Sequence, residues 1–354
     1  MTQTGLTEVV GEGTDGEPVV RGPRLVVLHS LLPPDGTSKY IDHMVDGASE
    51  YVDIRFISWK GALLGAYDVF HVHWPERLIR DRRRGRRFIK RRLLDLLLVR
   101  LALQRVPIVW TAHNLRPHEQ GPPSEERSLE RFTRSVTLVI RLNPTTDVPP
   151  GLDAVTIPHG HYRDRFAGVP RPAAEAGRLL HFGIIRPYKG VDTLLRAFGS
   201  LESDRLRLRI VGKPHPGQGE LVEAAAAADP RITATLRAVD DAEVVDEICR
   251  SSLVVLPYRG EMHNSGVVLL ALSLDRPVLV PASPTNAALS AEVGDGWVFQ
   301  YEGELDGATI LSALEEIGAR DPRTSPRLAG RDVKRIGELH YDAYLRARRA
   351  RRGR

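Results

Sequence analysis

Short apolar runs alternate with amphipathic or polar stretches along most of the chain. The runs are rich in β-branched and aromatic residues and are bounded by turn residues, which is typical of strands buried on both faces of a parallel sheet. Helix-compatible segments, the first from about Lys39, separate the runs, and this alternation predicts an α/β protein. The predicted strands lie within 24–30, 52–58, 67–74, 107–114, 137–143, 153–160, 178–185, 206–212, 232–238, 252–258, 276–282 and 296–300.

The alternation restarts after a linker rich in Pro, Ala and Gly at Ala167–Gly177. Two βα series of similar size predict two Rossmann-like doubly wound domains that face a cleft, with a closing helix at the C-terminus. The predicted boundaries are 1–22 for a mobile tail, 23–170 and 171–332 for the N-terminal and C-terminal domains, and 333–354 for the closing helix and a basic end.

Composition narrows the class of protein. With 354 residues, 42% of them apolar, the chain is long enough for about two globular domains. Its single cysteine excludes an intramolecular disulfide and a multi-cysteine metal site. No run of eighteen apolar residues and no signal peptide is present, so we expect a cytoplasmic protein, peripheral on the inner face of the membrane.

The net charge of +5 is modest, but the cations are concentrated at Arg80–Leu94 and Arg346–Arg354. The first cluster precedes leucines at helical spacing. It predicts either a buried helix with a solvated basic start or a surface that docks on anionic lipids through Arg82–Arg92, at about 1 kcal/mol per cation.

Two strand ends in the second half carry the chemistry of an anion site. Arg186 and Lys189 follow one strand and precede a helix, where a guanidinium, an ammonium and backbone N–H groups can hold a phosphate. The alternative is two solvated cations on a loop. After a later strand, Glu261 can orient sugar hydroxyls, while Asn264, Ser265 and Gly266 open a second helix, as caps, as ligand contacts or as both.

Two longer segments, HFGIIRPYKGVDTLLRAF and SLVVLPYRGEMHNSGVVLLALSLDRPVLVP, resemble the nucleotide-sugar-binding domain of GT-B glycosyltransferases of the family 4-like group (group 1). The resemblance spans nearly the whole chain. It implies an N-terminal acceptor domain and a C-terminal donor domain. It also implies that Arg186 and Lys189 bind the donor diphosphate, and that Glu261, Asn264, Ser265 and Gly266 hold the sugar and phosphates.

The sequence departs from the family pattern at one point. A second glutamate that binds the ribose is replaced by Val268, Leu269 and Leu270, and the usual glycine before RPV is Asp275. This form is similar to a subgroup with bacterial exopolysaccharide and glycolipid mannosyltransferases. The nucleotide base, the acceptor and the stereochemical outcome, retaining or inverting, stay open.

The N-terminal half supplies aromatic and imidazole groups at its strand ends. Trp74 is suited to stacking on a sugar, and His73 and Asn114 to hydrogen bonds with hydroxyls. The resemblance assigns His113 to the donor sugar or the reaction centre and places His159 in the cleft. Glu76 is a candidate general base.

The first βα loop, LLPPDGTSKY, resembles the family loop that lies near donor phosphates and acceptor, which implicates Asp35 as a second candidate base and Gly36 in donor binding. His71 and His73 share one strand face and could be taken with His113 for metal ligands. We expect no metal and no cofactor, because GT-B enzymes generally need no metal and no carboxylate set of the DxD kind stands in a matching loop.

The implied reaction is transfer of a hexose, with mannose favoured, from a nucleoside-diphosphate sugar to a hydroxyl of a glycan or lipid-linked acceptor. Two alternatives are a sugar-nucleotide epimerase of the same fold and a basic nucleic-acid-binding protein without catalysis. The chain lacks any recognised nucleic-acid-binding motif, so no nucleic acid partner is expected.

Overall fold

A computed structural model describes residues 9–12, 18–21, 24–34, 39–113, 121–260, 265–319, 321 and 323–353. The chain divides into two compact units. The first unit comprises residues up to Pro158 together with those from Val333 onward, and the second comprises His159–Asp332.

The first unit is built on a six-stranded parallel sheet, which confirms the α/β prediction for this half. The strands are short and largely buried because helices cover the sheet. A separate antiparallel pair, β1 (Val9–Glu12) and β2 (Pro18–Arg21), precedes the sheet. The sheet order is β4-β3-β5-β6-β7-β8, with β3 at Leu25–His29, β4 at Val52–Phe56, β5 at Val69–Val72, β6 at Ile108–Ala112, β7 at Leu138–Arg141 and β8 at Ala154–Thr156.

In the described residues, five helices connect these strands. The longest, α4, buries leucines on one face and leaves other apolar side chains exposed on another. The helices are α1 (Lys39–Ser49), α2 (Trp59–Leu64), α3 (Pro75–Ile79), α4 (Arg84–Leu103) and α5 (Pro123–Ser135).

The second unit repeats the architecture with another six-stranded parallel sheet, as the sequence predicts. Its order is β11-β10-β9-β12-β13-β14, with β9 at Arg178–Phe182, β10 at Arg207–Val211, β11 at Ile232–Thr235, β12 at Leu253–Val255, β13 at Val278–Pro281 and β14 at Val298–Tyr301. Its helices are α6 (Val191–Gly199), α7 (Gln218–Ala228), α8 (Asp241–Arg250), α9 (Gly266–Ser273), α10 (Pro284–Val293) and α11 (Gly307–Ala319), and a 3-10 turn at Pro187–Lys189 precedes α6.

The last helix, α12 (Val333–Arg352), returns to the first unit and packs on α1. The contact is close because two glycines meet there. A Cβ on Gly337 would lie 2.1 Å from the Gly47 carbonyl oxygen. The fully buried side chain of Tyr344 packs α12 against the core beside β5 and β6.

Strand order reverses once in each sheet, and these points are where open α/β sheets bind ligands, outside the carboxyl ends of the strands. In the first unit the reversal lies between β3 and β5, and in the second between β9 and β12. Both candidate sites described below lie at these two points. Among the described helices, none combines the length and the apolar composition needed to span a bilayer.

Candidate functional site

Two loops meet at the reversal point of the second unit and form what we call the β9–β12 cradle: the segment 183–190 after β9 and the segment 256–266 after β12, as far as it is described. Gly190 has φ +66°, and a Cβ there would lie 2.0 Å from the Pro257 carbonyl oxygen. The backbone N–H of Arg259 donates to the Tyr188 carbonyl at 2.7 Å. Glycine is therefore required at this position both for its backbone conformation and for the close approach of the loops.

Lys189 is the buried cation of the cradle, with only 8% of the residue exposed. Its Nζ lies 5.2 Å from the centre of the Tyr258 ring. No carboxylate of the described residues pairs with this ammonium group. Burial, reinforced by the neighbouring Arg186, lowers the pKa of Lys189 to about 8. A buried ammonium without a counter-charge favours an anion at that place.

The start of α9 forms the opposite side of the cradle. The Ser265 hydroxyl accepts from the Val268 N–H at 3.3 Å and so caps the helix. The same hydroxyl lies 3.0 Å from the Tyr258 hydroxyl. Because Tyr258 contacts both Lys189 and Ser265, one buried ring links the ammonium to the positive end of a helix.

His159 lies beside the first residue of α9. A Cβ on Gly266 would lie 3.6 Å from His159 Nε2, an ordinary contact distance, and His159 Nε2 is 3.4 Å from the Tyr162 hydroxyl. Arg331, a buried residue, donates to the His159 carbonyl at 2.8 Å and holds this segment in place. The structure therefore brings Lys189, Ser265, Gly266 and His159 to one edge of a single sheet, with Arg186 exposed on the adjoining loop.

The departure from the family pattern has a structural explanation. Val268, Leu269 and Leu270 are all buried in the core of the second unit, so α9 presents no carboxylate in the second turn. Asp275 adopts φ +57°, a backbone conformation that favours glycine, and its carboxylate pairs with Arg163 at 3.1 Å. The same carboxylate lies 3.6 Å from a guanidinium nitrogen of Arg171, so two arginines surround Asp275.

A histidine cluster occupies the reversal point of the first unit. His29 Nδ1 lies 3.3 Å from His73 Nε2, and His73 Nδ1 lies 3.2 Å from His113 Nε2. His71 contacts the Tyr344 hydroxyl through Nδ1 at 2.9 Å and the Thr111 hydroxyl through Nε2 at 2.8 Å. Burial and the neighbouring imidazoles hold the pKa values of His71 and His73 well below the ordinary value, so these rings are neutral.

The outer end of the cluster is aromatic. The Trp74 ring stacks on the His113 ring with centroids 4.3 Å apart, and the Arg77 guanidinium lies 4.3 Å from the centre of the Trp74 ring. Glu76, in the first turn of α3, is part-buried, and burial raises the pKa of its carboxyl. His73, Trp74 and His113 are therefore one assembly, and Glu76 follows it on the next helix.

Potential ligand atoms of His29, His71 and His73 all lie within 4.8 Å of one another, which is a donor set that a metal ion could use. Both nitrogens of His71 are already hydrogen-bonded to hydroxyls, however, and His29 and His73 contact each other. His29 Nε2 is buried and has no hydrogen-bond partner among the described residues.

Five residues singled out in the sequence lie outside the described residues: Asp35, Gly36, Asn114, Glu261 and Asn264. Several residues that contribute to the two sites were missed by the sequence analysis, among them Tyr258, His29, Arg331 and Tyr344. Tyr258 and His29 stand at the ends of predicted strands and could have been found by inspecting every strand end. Arg331 and Tyr344 carry no such signal, because they reach their sites from distant parts of the chain.

Comparisons with known proteins were made for the sequence and for the structure. Residues 176–314 match the model of the family described as glycosyl transferases group 1. The chain is 46% identical over 336 residues to a GDP-mannose:glycolipid 4-beta-D-mannosyltransferase of Xanthomonas campestris pv. campestris, which covers 93% of this chain and 95% of that protein.

Solved structures are similar in fold at low sequence identity. Anabaena HepE in complex with UDP and glucose superposes with a TM-score of 0.63 at 13% identity, covering 91% of this chain and 99% of that one. A glycosyltransferase of Rickettsia africae gives a TM-score of 0.56 at 12% identity, covering 91% and 94%. These are GT-B glycosyltransferases, and neither they nor the family model supports the epimerase or the nucleic-acid-binding alternative.

The relative with 46% identity over 93% of the chain establishes what the strand-end motifs predict: this protein belongs to the group 1 glycosyltransferases and is a nucleotide-sugar-dependent enzyme of the GT-B fold.

Proposed function

We propose that the enzyme transfers mannose from GDP-mannose to a hydroxyl group of a glycolipid acceptor, and that the β9–β12 cradle binds the donor diphosphate. The single observation that carries this proposal is the buried Lys189 ammonium, which has no carboxylate partner among the described residues and lies at a strand end beside a helix start. The choice of mannose, GDP and a glycolipid is supported by the Xanthomonas relative.

The diphosphate gains negative charge as its bond to the anomeric carbon breaks. Lys189 and the exposed Arg186 stabilise that charge electrostatically, and the start of α9 adds its dipole. The two loops of the cradle are joined by the Arg259–Tyr188 backbone hydrogen bond, which favours a preorganised site. In this proposal Glu261, Asn264, Ser265 and Gly266 hold the sugar and phosphates, with Gly36 beside the phosphates, and no bound metal takes part.

We propose a β-mannoside product, because the Xanthomonas relative is named as a 4-beta-D-mannosyltransferase. GDP-mannose carries its sugar in the α configuration, so this product requires inversion by one displacement. Inversion needs a general base that takes the proton of the acceptor hydroxyl. Glu76 and Asp35 are the candidate bases. The raised pKa of Glu76 brings that carboxyl closer to the range in which it accepts a proton near neutral pH. In this proposal His113, His73, Trp74, Asn114 and His159 contact the reacting sugars.

A membrane-facing surface on α4 fits a glycolipid acceptor. Successive residues of a helix are about 100° apart, so the exposed side chains of Phe88, Leu96, Val99 and Leu103 fall on one face, opposite the buried leucines. Arginines at the N-terminal end of the helix, within Arg82–Arg92, supply charge complementarity to anionic headgroups. We call the four exposed apolar side chains the α4 stripe, and together with the arginines they support peripheral attachment to the inner face of the membrane.

Nucleotide binding and transfer test the proposal separately. GDP, and not UDP, raises the melting temperature of the wild-type protein, and radiolabelled mannose moves from GDP-mannose into a lipid-extractable product. Arg186→Ala abolishes the GDP shift, whereas Arg205→Ala, an exposed arginine at the opposite edge of the same sheet, leaves it intact. A UDP-specific shift would refute the donor, and a shift retained by Arg186→Ala would refute the cradle.

A further inference from the structure

A cavity on the first unit lies between the start of α4 and the start of α5. Its volume is 370 Å³, within the range of about 300–1,000 Å³ that is usual for ligand sites. Three arginines of α4, Arg84, Arg87 and Arg91, line it together with Ser124. It belongs to a unit and a set of elements distinct from those that form the β9–β12 cradle.

The three arginines point into the same cavity because of their spacing. Residues three and seven positions after Arg84 return to the same helix face. Arg91 donates to the Ser124 hydroxyl, and among the described residues neither Arg84 nor Arg87 pairs with a carboxylate. The cavity therefore holds guanidinium groups whose charge is not matched from within the described protein.

Glu125 also lines the cavity, but its charge is compensated. Its carboxylate accepts from Arg80 at 2.8 Å (Nε) and 2.7 Å (a terminal guanidinium nitrogen), and the residue is buried. Arg80 is held in turn, because Lys90 donates to the Arg80 carbonyl at 2.9 Å. The helix α5 begins at Pro123 without a side-chain cap. The net character of the cavity is strongly cationic.

The cavity adjoins the α4 stripe. At about 100° per residue, Arg84, Arg87 and Arg91 lie on the flank of α4 between its buried leucines and the exposed side chain of Phe88. A ligand in the cavity therefore has cationic walls around one end and an exposed apolar surface beside it. That combination is matched by a phosphate group at the end of an apolar chain.

We propose that this cavity binds the phosphate or diphosphate group of the lipid that carries the acceptor glycan. Three guanidinium forks suit a group with several charges better than the single charge of a phospholipid diester. The assignment rests on the proposed function, because it supposes a lipid-linked acceptor. It adds a second anion site that anchors the lipid end of the acceptor on the unit that also holds Trp74 and His113.

Binding of a short model lipid tests the site directly. Hexyl diphosphate is titrated calorimetrically into the protein with the donor site filled by saturating GDP. Arg87→Gln weakens binding about tenfold, as expected for one lost bidentate contact. Arg86→Gln, which removes the same charge from an exposed position of the same helix outside the cavity, changes binding less than about twofold. Equal effects of the two variants would overturn the proposal.

Two further arms identify the source of the phosphate. Inorganic pyrophosphate that binds as tightly as hexyl diphosphate would show a site for free phosphate. Phosphatidylglycerol vesicles without acceptor are expected to lose affinity equally for Arg86→Gln and Arg87→Gln, and a larger loss for Arg87→Gln would assign the cavity to bulk phospholipid. Either result would overturn the acceptor assignment.

Transfer kinetics complete the test. Arg87→Gln raises KM for the lipid-linked acceptor about tenfold and leaves kcat at saturation unchanged, and Arg87→Lys restores part of the loss because it keeps the charge and removes the fork. An unchanged acceptor KM would overturn the proposal. Failure of the proposed function is distinguishable: GDP would not bind the wild-type protein, whereas hexyl diphosphate would still bind and still discriminate Arg87→Gln from Arg86→Gln.

Discussion

The Lys189 ammonium lies 5.2 Å from the centre of the Tyr258 ring, buried and without a carboxylate partner in the described part of the chain. A cation over an aromatic face recovers part of the solvation that burial removes. It does not recover all of it, since the pKa of Lys189 is lowered to about 8. The free enzyme therefore carries a destabilised charge at the place where a diphosphate would supply the missing anion.

Replacement of Lys189 should change the stability of the free enzyme and its binding of GDP in opposite directions. We expect Lys189→Met to raise the free energy of unfolding of the free enzyme, by an amount on the order of 3 kcal/mol at most, and to abolish the GDP-dependent thermal shift. Urea unfolding and thermal shift measure the two effects. Lys60→Met, at an exposed lysine of the first unit, changes neither. A Lys189→Met protein that is less stable and still binds GDP would contradict the role of this ammonium.

The affinity for GDP should depend on pH through the same group. Because the pKa of Lys189 is lowered from 10.5 to about 8, its cost to folding is present in full below pH 8 and is relieved as the pH rises from 8 to 10.5. Diphosphate binding needs the protonated form, so affinity falls above about pH 8, by at most tenfold per pH unit. Calorimetric titration of the wild-type protein with GDP between pH 6.5 and 9.5 measures the slope. A pH-independent wild-type affinity would count against a titrating Lys189.

Gly190 should be much less replaceable than other glycines with positive φ. Gly190→Ala places a Cβ 2.0 Å from the Pro257 carbonyl, whereas Gly217, with φ +81°, has open space around its Cβ position. Gly217→Ala therefore lowers the free energy of unfolding only by the cost of placing a non-glycine residue at positive φ, about 1–2 kcal/mol. Gly190→Ala costs more than this and weakens GDP binding, because the two loops of the cradle must separate. Similar unfolding free energies for the two variants would show that the loops yield without cost.

The two sheets and the loops of the cradle were predictable from the sequence. The residues that hold the site histidines in place from distant parts of the chain were not. Strands buried on both faces have the sequence pattern of short apolar runs. Arg186 and Lys189 follow one such run directly. Tyr344 and Arg331 act at distances of 273 and 172 positions from His71 and His159. No local pattern specifies such contacts, because they depend on how whole helices pack. The burial of Val268, Leu269 and Leu270 follows from their apolar character, and it explains in physical terms why α9 has no carboxylate in its second turn.

Attachment to membranes should depend on the α4 stripe as well as on the arginines at the N-terminal end of α4. Leu96 and Val99 are 56% exposed, so replacing both by Gln leaves the fold intact. Each apolar side chain moved from water into the membrane interface is worth about 1.5–3 kcal/mol at full burial, so the double variant loses at least tenfold in partitioning to anionic vesicles. Co-sedimentation measures this loss, and Leu311→Gln, exposed on the second unit, is the control. Neutralising Arg82, Arg83, Arg84, Arg86 and Arg87 should abolish binding at low salt, and unchanged sedimentation of either variant would contradict the membrane-facing surface.

Removal of divalent metals should leave transfer unchanged. In the proposed mechanism the charge on the leaving diphosphate is met by Lys189, Arg186 and the start of α9, which do the work that a metal ion performs in other phosphate sites. The three-histidine group is the candidate metal site among the described residues, because His29, His71 and His73 have potential ligand atoms within 4.8 Å of one another. His71 already contacts the Tyr344 and Thr111 hydroxyls, and an ion could take it only by breaking one of these hydrogen bonds. Activity after dialysis against EDTA, combined with metal analysis of the purified protein, decides the matter. The prediction is contradicted if stoichiometric zinc survives purification and if activity is lost on chelation and restored by zinc but not by magnesium. That result would identify the histidine cluster as a metal centre.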